Sequence, residues 1–162
     1  GDVFMTELQF NALAKRYMDM VFRLAFAMTK NKPDADDVTQ NVLFSLYRSE
    51  KEFESDDHVK NWLVRTTINE CKKIWRSPWS RTEGFEAYSE TLVFEAPLYS
   101  EVYDAILSLD KKSRAVIVLF YCDGYSAVEI ADLLHIPVNT VYTRLSRARA
   151  KLKRFLSEDD ET

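Results

Sequence analysis

The sequence predicts an all-α protein that consists of two small helical domains joined by a connector, the C-terminal domain being a helix-turn-helix. Three glycines and four prolines among 162 residues leave few positions at which a helix must stop. Apolar residues recur at intervals of three and four, and runs that alternate polar and apolar residues are few. With 46% apolar residues, the chain can bury one ordinary core or two small ones.

Two helices are predicted near the N-terminus. Thr6 can cap the first helix, and the proline-containing segment 31–33 interrupts it. The apolar residues of this helix recur with helical periodicity at Phe10, Leu13, Tyr17, Val21, Leu24 and Met28. Asp34 can cap the second helix, which an acidic first turn also suits. Its inward residues are Ala35, Val38, Val42 and Leu46.

A third helix is predicted from about His58 to Arg76, after the charged segment Glu50–Asp57. Between residues 77 and 97 the periodicity fails, and prolines with scattered serines and threonines mark a connector. The connector is too aromatic for a purely flexible tether, so we expect part of it to dock; its aromatic residues are Trp79, Phe85, Tyr88 and Phe94. The predicted organisation is a domain at 1–77, a linker at 78–98, a second domain at 99–157 and an acidic tail at 158–162.

The second domain opens with two predicted short helices. Val102, Ile106 and Leu109 share one face of the first helix. Asp110 can cap the next helix, which carries the apolar residues Val116, Ile117, Leu119 and Phe120. Asp123 and Gly124 then supply a turn.

The helix-turn-helix follows this turn. Ser126 and Glu129 have capping-box spacing, so a helix is expected to start at Ser126 and to end near His135. Pro137 lacks a backbone N–H and therefore belongs at the start of the next helix. The inward stripe of that helix is Val138, Val141, Leu145, Ala148, Leu152 and Phe155.

The last helix is strongly basic. Residues 140–154 carry six cations and no acid. Surface helices usually mix both signs, so a merely solvated face explains this segment poorly. Two short helices joined by a tight turn, the second one basic, suit the major groove of DNA.

The net charge of −4 hides an uneven distribution. Residues 140–154 contribute +6 and residues 60–81 contribute +5, so the rest of the chain carries −15. Much of that acidity lies in residues 34–57 and in the tail. Two basic patches and an acidic one indicate more than one kind of partner.

Several function classes find no support in the sequence. Cys71 and Cys122 each lie in an apolar helical pattern, which favours buried free thiols over a disulfide. His58 and His135 do not combine with them at a zinc-like spacing, so we expect no metal site. A phosphate-binding glycine loop and a catalytic constellation are also lacking, which argues against an enzyme and against a cofactor.

A membrane location is also unsupported. No stretch approaches eighteen apolar residues, and no signal-peptide pattern opens the chain. We therefore expect no membrane insertion and a cytoplasmic protein.

Three segments in order resemble one family. DADDVTQNVLFSLYR (34–48), NWLVRTTINECKKIWR (61–76) and the motif at 126–152 together resemble a bacterial sigma factor of the sigma-70 family, in its extracytoplasmic-function (ECF) group. The resemblance implies that the first domain binds core RNA polymerase and the minus-ten promoter element, and that the second reads the minus-thirty-five element. It further implies promoter melting and an unidentified anti-sigma factor as regulator, without a small-molecule substrate.

The resemblance also implies roles for individual residues. The implied core-binding residues are Asp36, Asp37, Gln40, Asn41 and Phe44. The implied minus-ten contacts are Lys60, Asn61, Arg65, Lys72, Lys73 and Arg76, with residues 53–60 as a loop that cradles an unstacked base. The implied minus-thirty-five contacts are Tyr142, Thr143, Arg144, Ser146, Arg147, Arg149, Lys151 and Lys153.

Some residue assignments depart from that family pattern. Tyr142 stands where a basic residue is common, and His135 and Asn139 replace frequent glycines, which affects the expected turn geometry and base preference. Trp62 and Trp75 are able to stack on bases, but aromatic residues at helical spacing usually belong to a core, which we favour for both.

Two other functions fit parts of the sequence. A stand-alone helix-turn-helix regulator would use the same C-terminal motif without joining polymerase. A helical protein that sequesters a partner would keep the architecture without touching promoter DNA.

Overall fold

The structure, a computed structural model, describes residues 5–76 and 100–160. The described residues form seven α-helices and one π-helical turn and contain no strand, which confirms the predicted all-α class. The chain divides into two compact units, Gly1–Gly84 and Phe85–Thr162. The predicted linker at 78–98, with its four aromatic residues, lies outside the described residues.

In the first unit, residues 5–76 form three helices that pack on one another. They are α1 (Glu7–Thr29), α2 (Lys32–Arg48) and α3 (Asp56–Arg76). Their largest fully buried side chains are Val21, Leu24, Met28, Val38, Val42, Leu46, Leu63 and Ile68. The predicted inward residues Tyr17 and Ala35 are also buried, whereas Phe10 and Leu13, near the start of α1, are only half-buried.

The cap of α1 is where the sequence places it. Thr6 Oγ1 accepts a hydrogen bond from the Gln9 backbone N–H at 3.1 Å, and Gln9 Oε1 accepts one from the Thr6 backbone N–H at 3.1 Å. This reciprocal pair satisfies two donors that have no partner within the helix. Lys30 ends α1 in the left-handed conformation, with φ 48°.

The predicted cap of α2 was wrong by three residues. Asn31, which is buried, is the N-cap, and its Oδ1 accepts the backbone N–H of Asp34 at 2.9 Å. The helix includes Pro33 because the first turn needs no N–H from that residue. Asp34 thus lies inside the first turn, where its charge favours the helix dipole without capping the helix.

The described residues of the second unit form four α-helices and the π-helical turn. They are α4 (Ser100–Leu107), α5 (Lys111–Ile117), the π turn Val118–Cys122, α6 (Ala127–Leu134) and α7 (Val138–Asp160). The core consists mainly of Ala105, Ile106, Leu109, Val116, Ile117, Leu119, Ile130, Leu133, Val141, Leu145 and Ala148. Helix α7 continues to Asp160, into the segment predicted as a tail.

The junction between α4 and α5 depends on two polar residues. Asp110 caps α5 as predicted, and its carboxylate accepts the Ser113 backbone N–H at 2.9 Å. Hydrogen bonding from Ser113 lowers the pKa of Asp110. Arg114 is buried, and its Nη1 donates to the Leu109 carbonyl at 2.6 Å. Burial lowers the pKa of this guanidinium, while the bond satisfies a carbonyl at the turn.

The two cysteines have different environments. Cys71 is fully buried, as predicted, and burial raises the pKa of its thiol to about 12. The prediction that Cys122 is buried was wrong, because the π turn leaves this residue exposed. Within the described residues, no helix combines the length and apolar character that a membrane span needs.

We predict that only one thiol reacts rapidly in the native protein. At pH 8, Cys122 should react with a disulfide reagent within seconds to minutes, whereas Cys71 should stay protected because it is buried and remains a thiol at that pH. Absorbance of the released thiolate measures both. Cys122→Ser should remove the fast phase, and Cys71→Ser should leave it; two fast phases in the native protein would contradict the assignment.

Candidate nucleic-acid and protein interfaces

The turn between α6 and α7 has the geometry of a helix-turn-helix. Ser126 and Glu129 form the predicted capping box, with hydrogen bonds of 3.0 and 3.2 Å between each backbone N–H and the other side chain. His135 ends α6 in the left-handed conformation, with φ 57°. The carbonyl of Pro137 accepts from the Thr140 N–H at 3.0 Å as α7 begins. Only three residues, 135–137, thus separate the two helices.

The two positions where glycine is common in the family differ in conformation. His135 occupies a left-handed conformation that glycine adopts at no steric cost. Asn139 lies in the first turn of α7 and has no positive φ. The turn therefore needs glycine-like freedom at residue 135 and not at residue 139.

Burial of one stripe determines which way α7 faces. Val141, Leu145 and Ala148 are buried, and Val138, Leu152 and Phe155 are half-buried. The four predicted base-reading residues are all exposed: Tyr142, Thr143, Ser146 and Arg147. Among the predicted phosphate contacts, Arg149, Lys151 and Lys153 are exposed, whereas Arg144 is half-buried.

One hydroxyl on this face is already engaged. Thr143 Oγ1 donates to the Asn139 carbonyl at 3.0 Å, one turn earlier in α7. The hydroxyl proton is thereby directed into the helix, so Thr143 offers outward an acceptor oxygen and a methyl group. Tyr142 beside it exposes 55% of its surface and adds an aromatic ring.

Arg149 has aromatic partners that sequence reasoning missed. Its Nε donates to the Tyr121 hydroxyl oxygen at 2.5 Å. Its Cζ lies 5.3 Å from the Phe120 ring centroid and 5.5 Å from that of Tyr121. Both rings come from the π turn, and Tyr121 is 28 residues away from Arg149 in sequence. No local pattern signals such a contact, because helical periodicity relates only near neighbours.

Four polar residues of α3 form one stripe, and two further lysines lie outside it. Asn61, Arg65, Lys72 and Arg76 recur at helical intervals; Arg65 and Arg76 are exposed, whereas Asn61 and Lys72 are half-buried. Lys60 lies one turn before the buried Val64, on another side of the helix, so it does not share the stripe. Lys73 Nζ lies 2.9 Å from Glu70 Oε1, which partly neutralises it.

The loop before α3 is shorter than predicted. Helix α3 begins at Asp56, so residues 56–60 of the predicted base-cradling loop are helical and the loop ends at Ser55. Ser55 Oγ accepts the backbone N–H of His58 at 3.1 Å, which explains the earlier start. Phe53 contacts both His58 and Trp62 edge to face, with centroids 5.2 and 5.8 Å apart.

The two tryptophans of α3 make contacts within the first unit. Trp62 is half-buried against Phe53. Trp75 Nε1 donates to the Met28 carbonyl at 3.1 Å, which links α3 to the last turn of α1. These contacts agree with the expectation that both side chains are structural.

A second exposed stripe runs along α2. Asp37, Gln40, Asn41 and Phe44 are exposed on one side of the helix, opposite the buried apolar residues. Asp36 lies at the edge of this stripe, and its Oδ2 is 3.0 Å from Lys32 Nζ. Arg48, which the sequence analysis did not include, places its Cζ 4.1 Å from the centroid of the Phe44 ring. The Phe44 ring therefore has a cation on one face. The sequence could have predicted this contact, because residues four apart are neighbours on a helix.

Comparisons with known proteins identify a family for both units. The model of sigma-70 region 2 matches residues 13–81, and that of sigma-70 region 4 matches residues 99–152. The ECF RNA polymerase sigma factor SigW of Bacillus subtilis is 31% identical over 160 residues, covering 88% of this chain and 86% of SigW. The ECF RNA polymerase sigma-E factor of Escherichia coli K12 is 31% identical over 158 residues, covering 86% of this chain and 82% of that protein.

Two solved structures are also similar. CnrH, in complex with the cytosolic domain of CnrY, gives a TM-score of 0.64 at 28% identity, covering 95% of this chain and 91% of CnrH. The sigma factor RpoE of Bartonella quintana, in complex with the anti-sigma factor NepR, gives a TM-score of 0.66, covering 91% of this chain and 96% of RpoE. At 20% identity, the second likeness shows the fold alone.

We predict opposite effects of glycine at the two turn positions. His135→Gly should stabilise the protein by about 0.5 kcal/mol, because it relieves a left-handed backbone at some cost in chain entropy. Asn139→Gly should destabilise by about 0.5 kcal/mol, since it weakens the first turn of α7. Thermal unfolding followed by circular dichroism measures both. Equal shifts of the same sign would contradict the conformational difference.

Proposed function

This chain belongs to the ECF group of RNA polymerase sigma factors in the sigma-70 family, and we propose that it binds core polymerase through α2, the minus-ten element through α3 and the minus-thirty-five element through α7. As a sigma factor it directs transcription initiation and is not itself an enzyme. The polymerase performs the chemistry, and this chain supplies promoter specificity.

One observation supports this division of labour most strongly. The region 2 match contains the α2 and α3 stripes, and the region 4 match contains the exposed face of α7 up to residue 152. Each of these helices buries another side in its own unit, so the folded units present the exposed side chains of the stripes outward. A stand-alone DNA-binding regulator would need only the last of these surfaces.

At the minus-thirty-five element, Arg147 is the proposed base reader. Its guanidinium has the fork geometry that pairs with O6 and N7 of guanine in the major groove. Thr143 supplies an acceptor and a methyl group, since its proton is engaged by Asn139. Tyr142 and Ser146 complete the base-facing set. Four other cations of α7 serve as phosphate contacts: Arg144, Arg149, Lys151 and Lys153.

At the minus-ten element, α3 is proposed to follow the opened strand. Arg65, Lys72 and Arg76 share one face with Asn61 and are suited to neutralise successive phosphates. Lys60 and Lys73 flank this face and contribute to its positive potential. An unstacked base would be held by the loop that ends at Ser55 and by the first turn of α3. Capture of unpaired bases in this way assists promoter melting.

The α2 stripe is the proposed contact to core polymerase. Asp37, Gln40 and Asn41 make it polar and acidic, and Phe44 supplies a large exposed apolar contact at its C-terminal end. Asp36 at its edge is partly neutralised by Lys32. A stripe of this charge suits a basic partner surface.

The charge distribution explains why DNA recognition would depend on polymerase. The isolated chain carries a net charge of −4, and its cations are divided between two units. Phosphate neutralisation dominates DNA affinity, and nearby acids oppose it. We therefore expect weak promoter binding by the chain alone and strong binding once core polymerase presents both units to one promoter.

A protein regulator is a further part of the proposal. CnrH, at 28% identity, was solved in complex with the cytosolic domain of CnrY. We infer that an anti-sigma factor binds this chain and covers its polymerase-binding surfaces. Core polymerase and chromosomal DNA both lie in the cytoplasm, so we also infer that the protein acts there.

Run-off transcription tests the proposal. Purified core polymerase with this protein should produce transcripts from a defined subset of promoter fragments of the source genome, and core alone should not. Phe44→Ala should weaken core binding about tenfold, because truncating a large aromatic anchor costs about 1.4 kcal/mol or more. Met18→Ala, a similarly exposed residue of α1, is the matched control and should have no effect.

The other outcomes identify the alternatives. Stable core binding without transcripts would indicate a sequestering role or the need for an activator. Failure to bind core would favour the stand-alone DNA-binding regulator.

A pair of variants in α7 tests base reading. Arg147→Ala should cost roughly 1 to 3 kcal/mol of discrimination at one base pair of the minus-thirty-five element. Lys153→Ala should instead weaken binding to all sequences alike, since a phosphate contact carries no base preference. Competition binding of the polymerase complex to single-base promoter variants measures both. An equal loss on promoter and random DNA for Arg147→Ala would reassign Arg147 to a phosphate.

A further inference from the structure

We propose that Tyr121 and Phe120 are positioning residues that hold the Arg149 guanidinium against one phosphate of the duplex bound by α7. This inference rests on the proposed function, in which α7 lies in the major groove at the minus-thirty-five element. It assigns a role to the π turn, which lies outside the recognition helix and which no feature of the helix-turn-helix itself requires.

The contacts restrict Arg149 from two directions. The phenol oxygen of Tyr121 accepts from Nε at 2.5 Å, and the two rings lie 5.3 and 5.5 Å from Cζ. The rings are themselves arranged edge to face, with centroids 4.9 Å apart and planes at 74°. Because the hydrogen bond uses Nε, the terminal Nη1 and Nη2 remain to present a fork of N–H groups. A fork of this kind matches the geometry of phosphate oxygens.

The position of Arg149 on α7 suits a phosphate. Tyr142, Ser146 and Arg149 follow one another at intervals of four and three, so they lie along the same flank of the helix. When a recognition helix occupies the major groove, the sugar-phosphate strands run along its flanks. Arg149 lies about two turns after Tyr142 on this flank. It is therefore placed to contact a phosphate of the DNA strand that runs along the flank.

Exposure argues against a purely structural role for these contacts. Tyr121 exposes 55% of its surface, and Arg149 is also exposed. Cation–π contacts and hydrogen bonds between exposed groups contribute little to folding stability, because water competes for the same partners. What the rings do achieve is to restrict a long and otherwise mobile side chain before DNA arrives. Such preorganisation raises affinity by reducing the entropy lost on binding.

The π turn explains how two adjacent aromatic residues reach one cation. The Asp123 N–H bonds to the Val118 carbonyl at 3.0 Å, five residues back, which widens the turn relative to an α-helix. Phe120 and Tyr121 project from the middle of this turn toward α7. Single π turns are uncommon and frequently occur at functional sites.

The experiment uses the full chain assembled with core polymerase on a promoter fragment that it transcribes. The neutral methylphosphonate group replaces one phosphate at a time along the minus-thirty-five element, and competition binding measures each affinity. The wild-type complex should lose affinity at a small set of positions. Arg149→Ala should bind about tenfold more weakly and lose its sensitivity at one of those positions. Its slope of log affinity against log salt should fall by about 1.

Tyr121→Phe separates positioning from charge. This variant removes one hydroxyl and should weaken binding about threefold with an unchanged salt slope, because the number of cations is the same. Adding Tyr121→Phe to Arg149→Ala should cause no further loss, since the group being positioned is gone. Adding it to Arg154→Ala, another exposed arginine of α7, should still cost the full threefold.

Three results would overturn the proposal. One is an additive loss in the Tyr121→Phe and Arg149→Ala double variant. Another is an Arg149→Ala complex that still transcribes and is sensitive to methylphosphonate at the same positions as wild type. That result would contradict this inference but not the sigma function. The third is a fall in the melting temperature of free Tyr121→Phe protein that accounts for its weaker binding, which would make the contact a structural one. Absence of any wild-type transcript would overturn the sigma function and this inference together.

Discussion

Burial of Val141, Leu145 and Ala148 sets the rotation of α7 about its axis, and every proposed contact to duplex DNA depends on that rotation. Neighbouring residues of an α-helix are separated by about 100° around the axis. A register shift of one residue would therefore move Arg147 away from the base-facing side and bring Ala148 to it. The capping box at Ser126 and the short turn at His135 hold α6 in the place against which this stripe packs. The proposed DNA contacts of α7 thus depend on the packing of its apolar side chains.

In the first unit, too, burial of one side of each helix determines which residues are exposed. The inward sides of α2 and α3 meet α1, and this leaves an acidic stripe on one helix and a basic stripe on the next. The proposed protein and nucleic-acid contacts of this unit thus lie on separate helices with opposite charge. The Arg16 to Asp56 ion pair, at 3.1 Å, and the bond from Trp75 to Met28 connect α3 to α1 at both of its ends.

The sequence was most informative where the determining interactions are local. Thr6, Asp110 and Ser126 were predicted as caps because a cap and its partner lie within three residues of each other. The prediction that Asp34 caps α2 was wrong, because the side-chain oxygen of Asn31 serves as the cap. Pro33 then lies in the first turn of the helix, where proline is tolerated. Asn31 and Asp34 are both good local candidates, and only tertiary packing, which buries Asn31, distinguishes them.

Longer-range features were beyond a reading of periodicity. The exposed position of Cys122 follows from a π turn, which changes the helical register at the point where the apolar pattern predicted burial. The contact between Tyr121 and Arg149 joins residues 28 positions apart. The family resemblance predicted the candidate contact surfaces, whereas the neighbouring residues that orient their side chains were found only in the structure.

The tryptophans described in α3 make the two units optically distinct. All three tryptophans of the chain, at positions 62, 75 and 79, precede the second unit, so indole emission originates entirely in Gly1–Gly84. Indole fluorescence therefore follows the first unit alone, while far-ultraviolet dichroism follows the helices of both. Units that melt independently would give two midpoints by these probes, and a chain whose units unfold together would give one. The placement of one residue type thus provides, without labelling, a direct view of how the two halves of this sigma factor depend on each other for stability.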